Sequence, residues 1–249
     1  MAQPRVLLVE DDALLRRFVR MALEELPIEL LECESVAGAL EILGAAPVQL
    51  ILTDLMLPGA SGVDLLQELQ QSPCLRGQAK VVVLSAGLTQ DTRQQLAPLG
   101  VWRLLEKPVS VSLLEQCVQQ ALQDAPATAT PTTPADPERT NAIDQYFAGD
   151  AELFQLYRDS CLLQLPHDIA TGDQASEGGD LPALRRVAHS LKTVLLTLGA
   201  PQLSAQARDL EQLCHSAAPG PASPAHSGWL TLRAALARWI DLQLSLIHI

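Results

Sequence analysis

The chain has 249 residues, of which 48% are hydrophobic but only 3% aromatic, so its cores must be built from Leu, Val, Ile and Ala. The formal charge of -12 is shared by both halves, which excludes a basic module for nucleic acid or anionic lipid. Five scattered cysteines (Cys33, Cys74, Cys117, Cys161, Cys214) lack zinc-site spacing. No apolar run reaches the roughly 18 to 20 residues of a membrane span, and no leader pattern follows Met1, so a soluble, cytoplasmic chain without membrane insertion is expected.

Arg5 to Val9 reads as a short apolar strand ending on Glu10-Asp11-Asp12. Leu14, Leu15, Phe18, Val19 and Ala22 then recur at helical spacing within Ala13 to Glu25, and Pro27 ends that helix. Ile28 to Leu31 predicts a second strand, and Ser35 a cap for a helix over Val36 to Leu43. Val48 to Thr53 is apolar and too short for a helix; it delivers Asp54 to a turn marked by Pro58, Gly59 and Gly62. A helix over Val63 to Leu69 stops before Ser72-Pro73, and Lys80 to Leu84 is the fourth strand, followed by Ser85-Ala86-Gly87. A helix from Asp91 to Leu96, a fifth strand from Val101 to Leu105, Glu106-Lys107-Pro108 and a Ser110-capped helix to Leu122 complete the half. Five strands alternating with five helices predict a doubly wound parallel sheet.

Glu10, Asp11, Asp54, Ser85 and Lys107 all fall just past strand ends, so one edge of the sheet gathers them. Clustered carboxylates repel each other and call for a hard divalent cation, for which Mg2+ suits oxygen ligands. A hydroxyl and an ammonium beside them can hold a transferring phosphoryl group, with the central carboxylate as nucleophile and an acyl phosphate on Asp54 as product. Val6-Leu-Leu-Val-Glu-Asp-Asp, Asp54-Leu-Met-Leu-Pro-Gly, Leu84-Ser-Ala and Leu105-Glu-Lys-Pro, in this order, resemble the receiver domain of two-component response regulators over residues 4–123. The resemblance implies a flavodoxin-like fold and Asp54 as phosphoacceptor. It also implies Mg2+ held by Asp11, Asp54 and the Met56 carbonyl, Glu10 acting through water, and Ser85 and Lys107 gripping the phosphate. Many receivers carry Tyr or Phe three residues before the lysine; Leu104 stands there, so an aromatic switch is not expected.

Residues 124–139 are rich in Pro, Ala and Thr and read as a linker. Every periodic segment beyond it is helical: Ile143 to Phe147, Ala151 to about Ala170, Leu181 to Leu198, Leu203 to His215 and about Trp229 to Leu244. Loops are expected over Gly172 to Gly179 and Ala217 to Gly228. The pattern predicts an all-α four-helix bundle over 140–249 after a receiver over 1–123. In the central helix Leu184, Val187, Ala188, Leu191, Val194, Leu195 and Leu198 form the buried stripe. His189 lies off that stripe near Arg185, Arg186, Lys192 and Thr193, where an accessible imidazole in a positive setting is expected.

Gly149-Asp-Ala-Glu-Leu-Phe, Ala188-His-Ser-Leu-Lys, Leu198-Gly-Ala and Leu203-Ser-Ala-Gln-Ala-Arg-Asp-Leu-Glu resemble a histidine phosphotransfer (HPt) domain over roughly 140–244. That resemblance implies His189 as a second phosphoacceptor with Lys192 helping to hold the group, and a sensor histidine kinase or other receivers as partners. The family usually has Gly directly after the lysine; Thr193 narrows the site here, and Leu196 offers an apolar docking contact. His167, His215, His226 and His248 read as surface or loop residues, and the apolar tail from Leu244 as a fragment end or foreign sequence. Two other readings stand beside the phosphorelay. One is a phosphorylated receiver with a bundle that only docks. The other is an aspartyl-nucleophile phosphohydrolase, disfavoured because Met56 occupies the place of its second acid.

Overall fold

The computed structural model describes residues 3–87, 90–123, 141–216 and 223–245; the expected linker, His248 and most of the apolar tail lie outside them. The chain divides into two compact units, Met1–Asp150 and Ala151–Ile249. The first contains the parallel sheet of β1 (Arg5–Val9), β2 (Glu29–Cys33), β3 (Leu50–Asp54), β4 (Lys80–Ser85) and β5 (Arg103–Glu106), in the order β2-β1-β3-β4-β5. Around it lie α1 (Ala13–Ala22), α2 (Val36–Ala45), α3 (Gly62–Gln71), a short α4 (Pro73–Arg76), α5 (Gln90–Leu96) with a 3-10 turn, and α6 (Val111–Leu122). Helices on both faces leave β1, β3 and β4 with wholly apolar interiors, the reason those strands read as continuous runs.

Local capping fixes where the helices begin. Asp12 accepts from the Leu14 and Leu15 amides at the start of α1. Ser35 caps α2, Ser61 and Asp64 form a capping box on α3, and Ser110 caps α6. Expected and observed elements agree except at ends and in α4, which the Ser72-Pro73 stop concealed; β5 begins at Arg103 rather than Val101. The short α7 (Ala142–Tyr146) and Phe147 cluster with this unit, and Phe147 packs edge-on against Phe18 of α1.

The second unit is a bundle of α8 (Ala151–Gly178), α9 (Leu181–Thr197), α10 (Pro201–Ser216) and α11 (Pro224–Ser245). Its core joins Leu165, Leu184, Leu191, Leu195, Leu210, Trp229 and Leu236. The loop expected over Gly172 to Gly179 is instead the last turns of α8, which also runs through Pro166. Gly172 is there for packing and not for a break: a Cβ on it would overlap the Trp229 ring. Trp229 in turn donates from its indole to Asp173 at 2.8 Å, so the stretch that looked like a loop is held to α11.

Candidate functional site

Strand register assembles the acidic edge. β1 and β3 pair Val9 with Thr53, so Glu10 and Asp54 lie one step beyond that rung. β3 and β4 pair Asp54 with Leu84, and β4 and β5 pair Ser85 with Glu106, which places Ser85 and Lys107 next along the same edge. The strand order reverses between β1 and β3, where open α/β sheets form their ligand crevice.

The Lys107 ammonium bridges two carboxylates, at 2.5 Å from Glu10 Oε2 and 2.8 Å from Asp54 Oδ2. Asp54 is 2% exposed, and its Oδ1 accepts from the amides of Leu55 at 2.5 Å and Met56 at 3.2 Å. The turn beyond it demands glycine at Gly62, whose amide donates to the Leu55 carbonyl and where a Cβ would overlap the Asp54 carbonyl oxygen. Ser85 is buried at the same edge, and the Lys107 amide donates to its carbonyl at 2.9 Å. Leu104 is half-buried and packs against the sheet core, with no aromatic ring at that position.

Carboxylate oxygens of Glu10, Asp11 and Asp54 lie within 4.8 Å of one another. Burial, with the Asp54 charge adding to it, pushes the Asp11 carboxyl up. Burial also pushes Glu10 up, against the opposing pull of Lys107. Desolvation would lower the Lys107 ammonium, but Asp54 and Glu10 outweigh it and raise its pKa. Three carboxylates thus face one ammonium, and Lys107 occupies one oxygen each of Glu10 and Asp54. The remaining hard oxygens fit a divalent cation of the Mg2+ class.

The helical unit corrects one expectation. His189 is 9% exposed, not accessible, because Glu211 of α10 reaches it: Nδ1 lies 2.7 Å from Glu211 Oε1. The other Glu211 oxygen accepts from Lys192 Nζ at 2.6 Å, so Lys192 is buried too. Burial raises the Glu211 carboxyl, yet the hydrogen bonds from His189 and Lys192 outweigh it and bring it down to about 2. Among the described residues, Nε2 of His189 has no hydrogen-bond partner; Thr193 is buried and Leu196 half-buried. The helical wheel of α9 shows only its own cations; the carboxylate arrives from another helix. The signal for it was the Glu closing the Leu203 to Glu211 stretch, to which sequence reasoning gave no role. Arg186 is exposed and Arg185 half-buried. Of the other histidines, His167 and His215 are exposed as expected, whereas His226 is half-buried and bonded to Ser176 at 2.8 Å.

The sheet with its acidic edge and the bundle with its internal histidine are two separate modules, each with its own polar cluster. Residues 6–119 match the response regulator receiver domain family and residues 156–241 the Hpt domain family, so the chain carries a receiver followed by an Hpt domain. The response regulator protein PilR of Pseudomonas aeruginosa is 32% identical over 123 residues, 49% of this chain and 27% of PilR. The virulence sensor protein BvgS of Bordetella pertussis is 25% identical over 255 residues, 96% of this chain and 20% of BvgS. The sensory/regulatory protein RpfC of Xanthomonas campestris is 24% identical over 220 residues, 84% of this chain and 30% of RpfC. The chain therefore spans less than a third of each of these relatives. No helix among the described residues is long and apolar enough to cross a membrane.

Proposed function

We propose that this chain relays phosphoryl groups between a sensor histidine kinase and other receivers, with Asp54 and His189 as its two stations. The observation that carries the reading is Asp54 itself: a buried carboxylate held by Lys107 and two backbone amides, among acids at a sheet edge, on the same chain as an Hpt histidine. An Asp54 oxygen attacks the donor phosphorus as the donor P–N bond breaks, leaving an acyl phosphate. Lys107 exchanges its carboxylate contact for a phosphoryl oxygen, and Ser85 holds another. Asp11, Asp54 and the Met56 carbonyl would hold Mg2+, with Glu10 acting through water. The bound ion would supply neutralisation of charge on the transferring group.

In the second unit Glu211 fixes Nδ1 of His189, which leaves Nε2 as the nitrogen that takes the phosphoryl group, with Lys192 beside it. The domain limits 1–123, 124–139 and 140–249 remain part of this proposal, as does slow hydrolysis of the acyl phosphate by the receiver.

Incubation with a phosphorylated histidine-kinase donor and Mg2+ tests the reading. Base-labile label on Asp54 should vanish in Asp54→Ala, and base-stable, acid-labile label on His189 should vanish in His189→Ala. Absence of label on both residues with every competent donor overturns it. A docking bundle with a silent His189 is the second reading, favoured by the burial of His189 and by Thr193. Efficient transfer to His189 rejects that alternative.

A further inference from the structure

Arg16 lies on α1, one turn beyond the acidic loop, and no step above uses it. Its Nη1 donates to two backbone carbonyls, Glu10 at 2.6 Å and Asp11 at 2.9 Å. Its Nη2 donates to Glu34 Oε1 at 2.6 Å, in the loop after β2. The Arg16 side chain is 13% exposed, while that of Glu34 is 69% exposed. The guanidinium therefore ties the backbone on which Glu10 and Asp11 stand to the neighbouring strand's exit, and it takes no carboxylate oxygen of the acidic cluster.

We propose that Arg16 is a positioning residue of the cation site: its fork sets the direction of the Glu10-Asp11 backbone, and Glu34 holds the fork in place. This rests on the reading of Glu10, Asp11 and Asp54 as a divalent-cation site. Charge alone would act the opposite way, since a cation beside the site repels Mg2+. Glu34 offsets that repulsion, so the gain from Arg16 is one of geometry. A planar guanidinium can meet two carbonyls and a carboxylate at once; a lysine ammonium, with a single nitrogen on a flexible stem, cannot reproduce that fork. Groups that orient first ligands without touching the metal commonly change its affinity by about 10- to 100-fold.

The test is Mg2+ binding to the full chain by calorimetry at neutral pH, with Mn2+ uptake by electron paramagnetic resonance as a second readout and thermal melting alongside. Arg16→Lys and Arg16→Gln should each weaken Mg2+ binding by about tenfold. Glu34→Gln should weaken it by about threefold, because the fork keeps its carbonyls but loses its anchor. A stabilising role alone would lower the melting temperature and leave cation affinity intact. Wild-type affinity in Arg16→Lys, or tighter binding in Arg16→Gln, overturns the proposal. If Arg16→Gln fails to fold, Glu34→Gln decides, and unchanged affinity there overturns it. A wild-type chain that takes up no Mg2+ overturns the cation-site reading itself, and the role of Arg16 falls with it.

Discussion

Glu211→Gln isolates the contact that sequence reasoning missed. The side chain keeps its shape and can still accept from His189 or Lys192, but it loses the charge. Glu211 falls from 4.5 to about 2 in the folded chain, so the ionised form is favoured by folding. At about 1.4 kcal/mol per unit the full conversion is about 3.5 kcal/mol. Glu211 is 15% exposed at its side chain and Gln keeps part of the hydrogen bonding, so the expected loss at pH 7 is about 2 kcal/mol. A folded-state pKa below the unfolded one stabilises above about pH 4.5 and loses that contribution as pH falls towards 2. The gap between wild type and variant should therefore be full at pH 7 and shrink through pH 4 to 2. Urea titrations in a Trp102→Phe background read the bundle alone, because Trp229 lies in its core and Trp239, partly buried, packs against that core. Equal midpoints at pH 7, or a gap that grows in acid, would refute the clamp.

Lys107→Ala strands Glu10 and Asp54 as buried carboxylates; loss of about 3 kcal/mol is expected by urea unfolding followed at Trp102, with part recovered in Lys107→Ala/Asp54→Asn. Glu10 and Asp11 have raised folded-state pKa values, so their contribution is present below their unfolded values and lost as pH rises. Without divalent cations the first unit should become less stable between about pH 5 and 8, and saturating Mg2+ should flatten that slope; an unchanged slope with Mg2+ contradicts the shared cation site. Gly172→Ala drives a methyl into the Trp229 ring and should cost the bundle about 2 kcal/mol, seen as a lower melting temperature with blue-edge Trp emission lost. A neutral Gly172→Ala would mean that α8 and α11 do not pack as described.

How much the sequence reveals differs between the units for a physical reason. In the sheet the chemistry is tied to strand ends, and strand ends are announced locally by an apolar run meeting a charge and a turn. The register Val9 to Thr53 and Asp54 to Leu84 then brings those ends together without further choice. Glu10, Asp11, Asp54, Ser85 and Lys107 were all legible on that basis. Arg16 was not, because its work is done through backbone carbonyls that carry no residue type.

The bundle offers the opposite case. Period and capping reveal that α9 is a helix and which stripe faces inward, since Leu184, Leu191 and Leu195 lie where the spacing puts them. They do not reveal what a polar face meets, because the crossing helix can bring any residue of its own face. Glu211 turned an imidazole expected in a field of cations into the partner of a carboxylate. Gly172 reads as a loop by propensity, yet the space it leaves is filled from α11, so tertiary packing overrides the local signal. The same principle separates the two proposed stations. Asp54 is organised chiefly by its own strand, its own turn and the neighbouring strand ends, whereas His189 depends on α10 supplying its partner. Function at His189 is therefore more exposed to substitutions far away in sequence, and the charge at Glu211 is the first of them to examine.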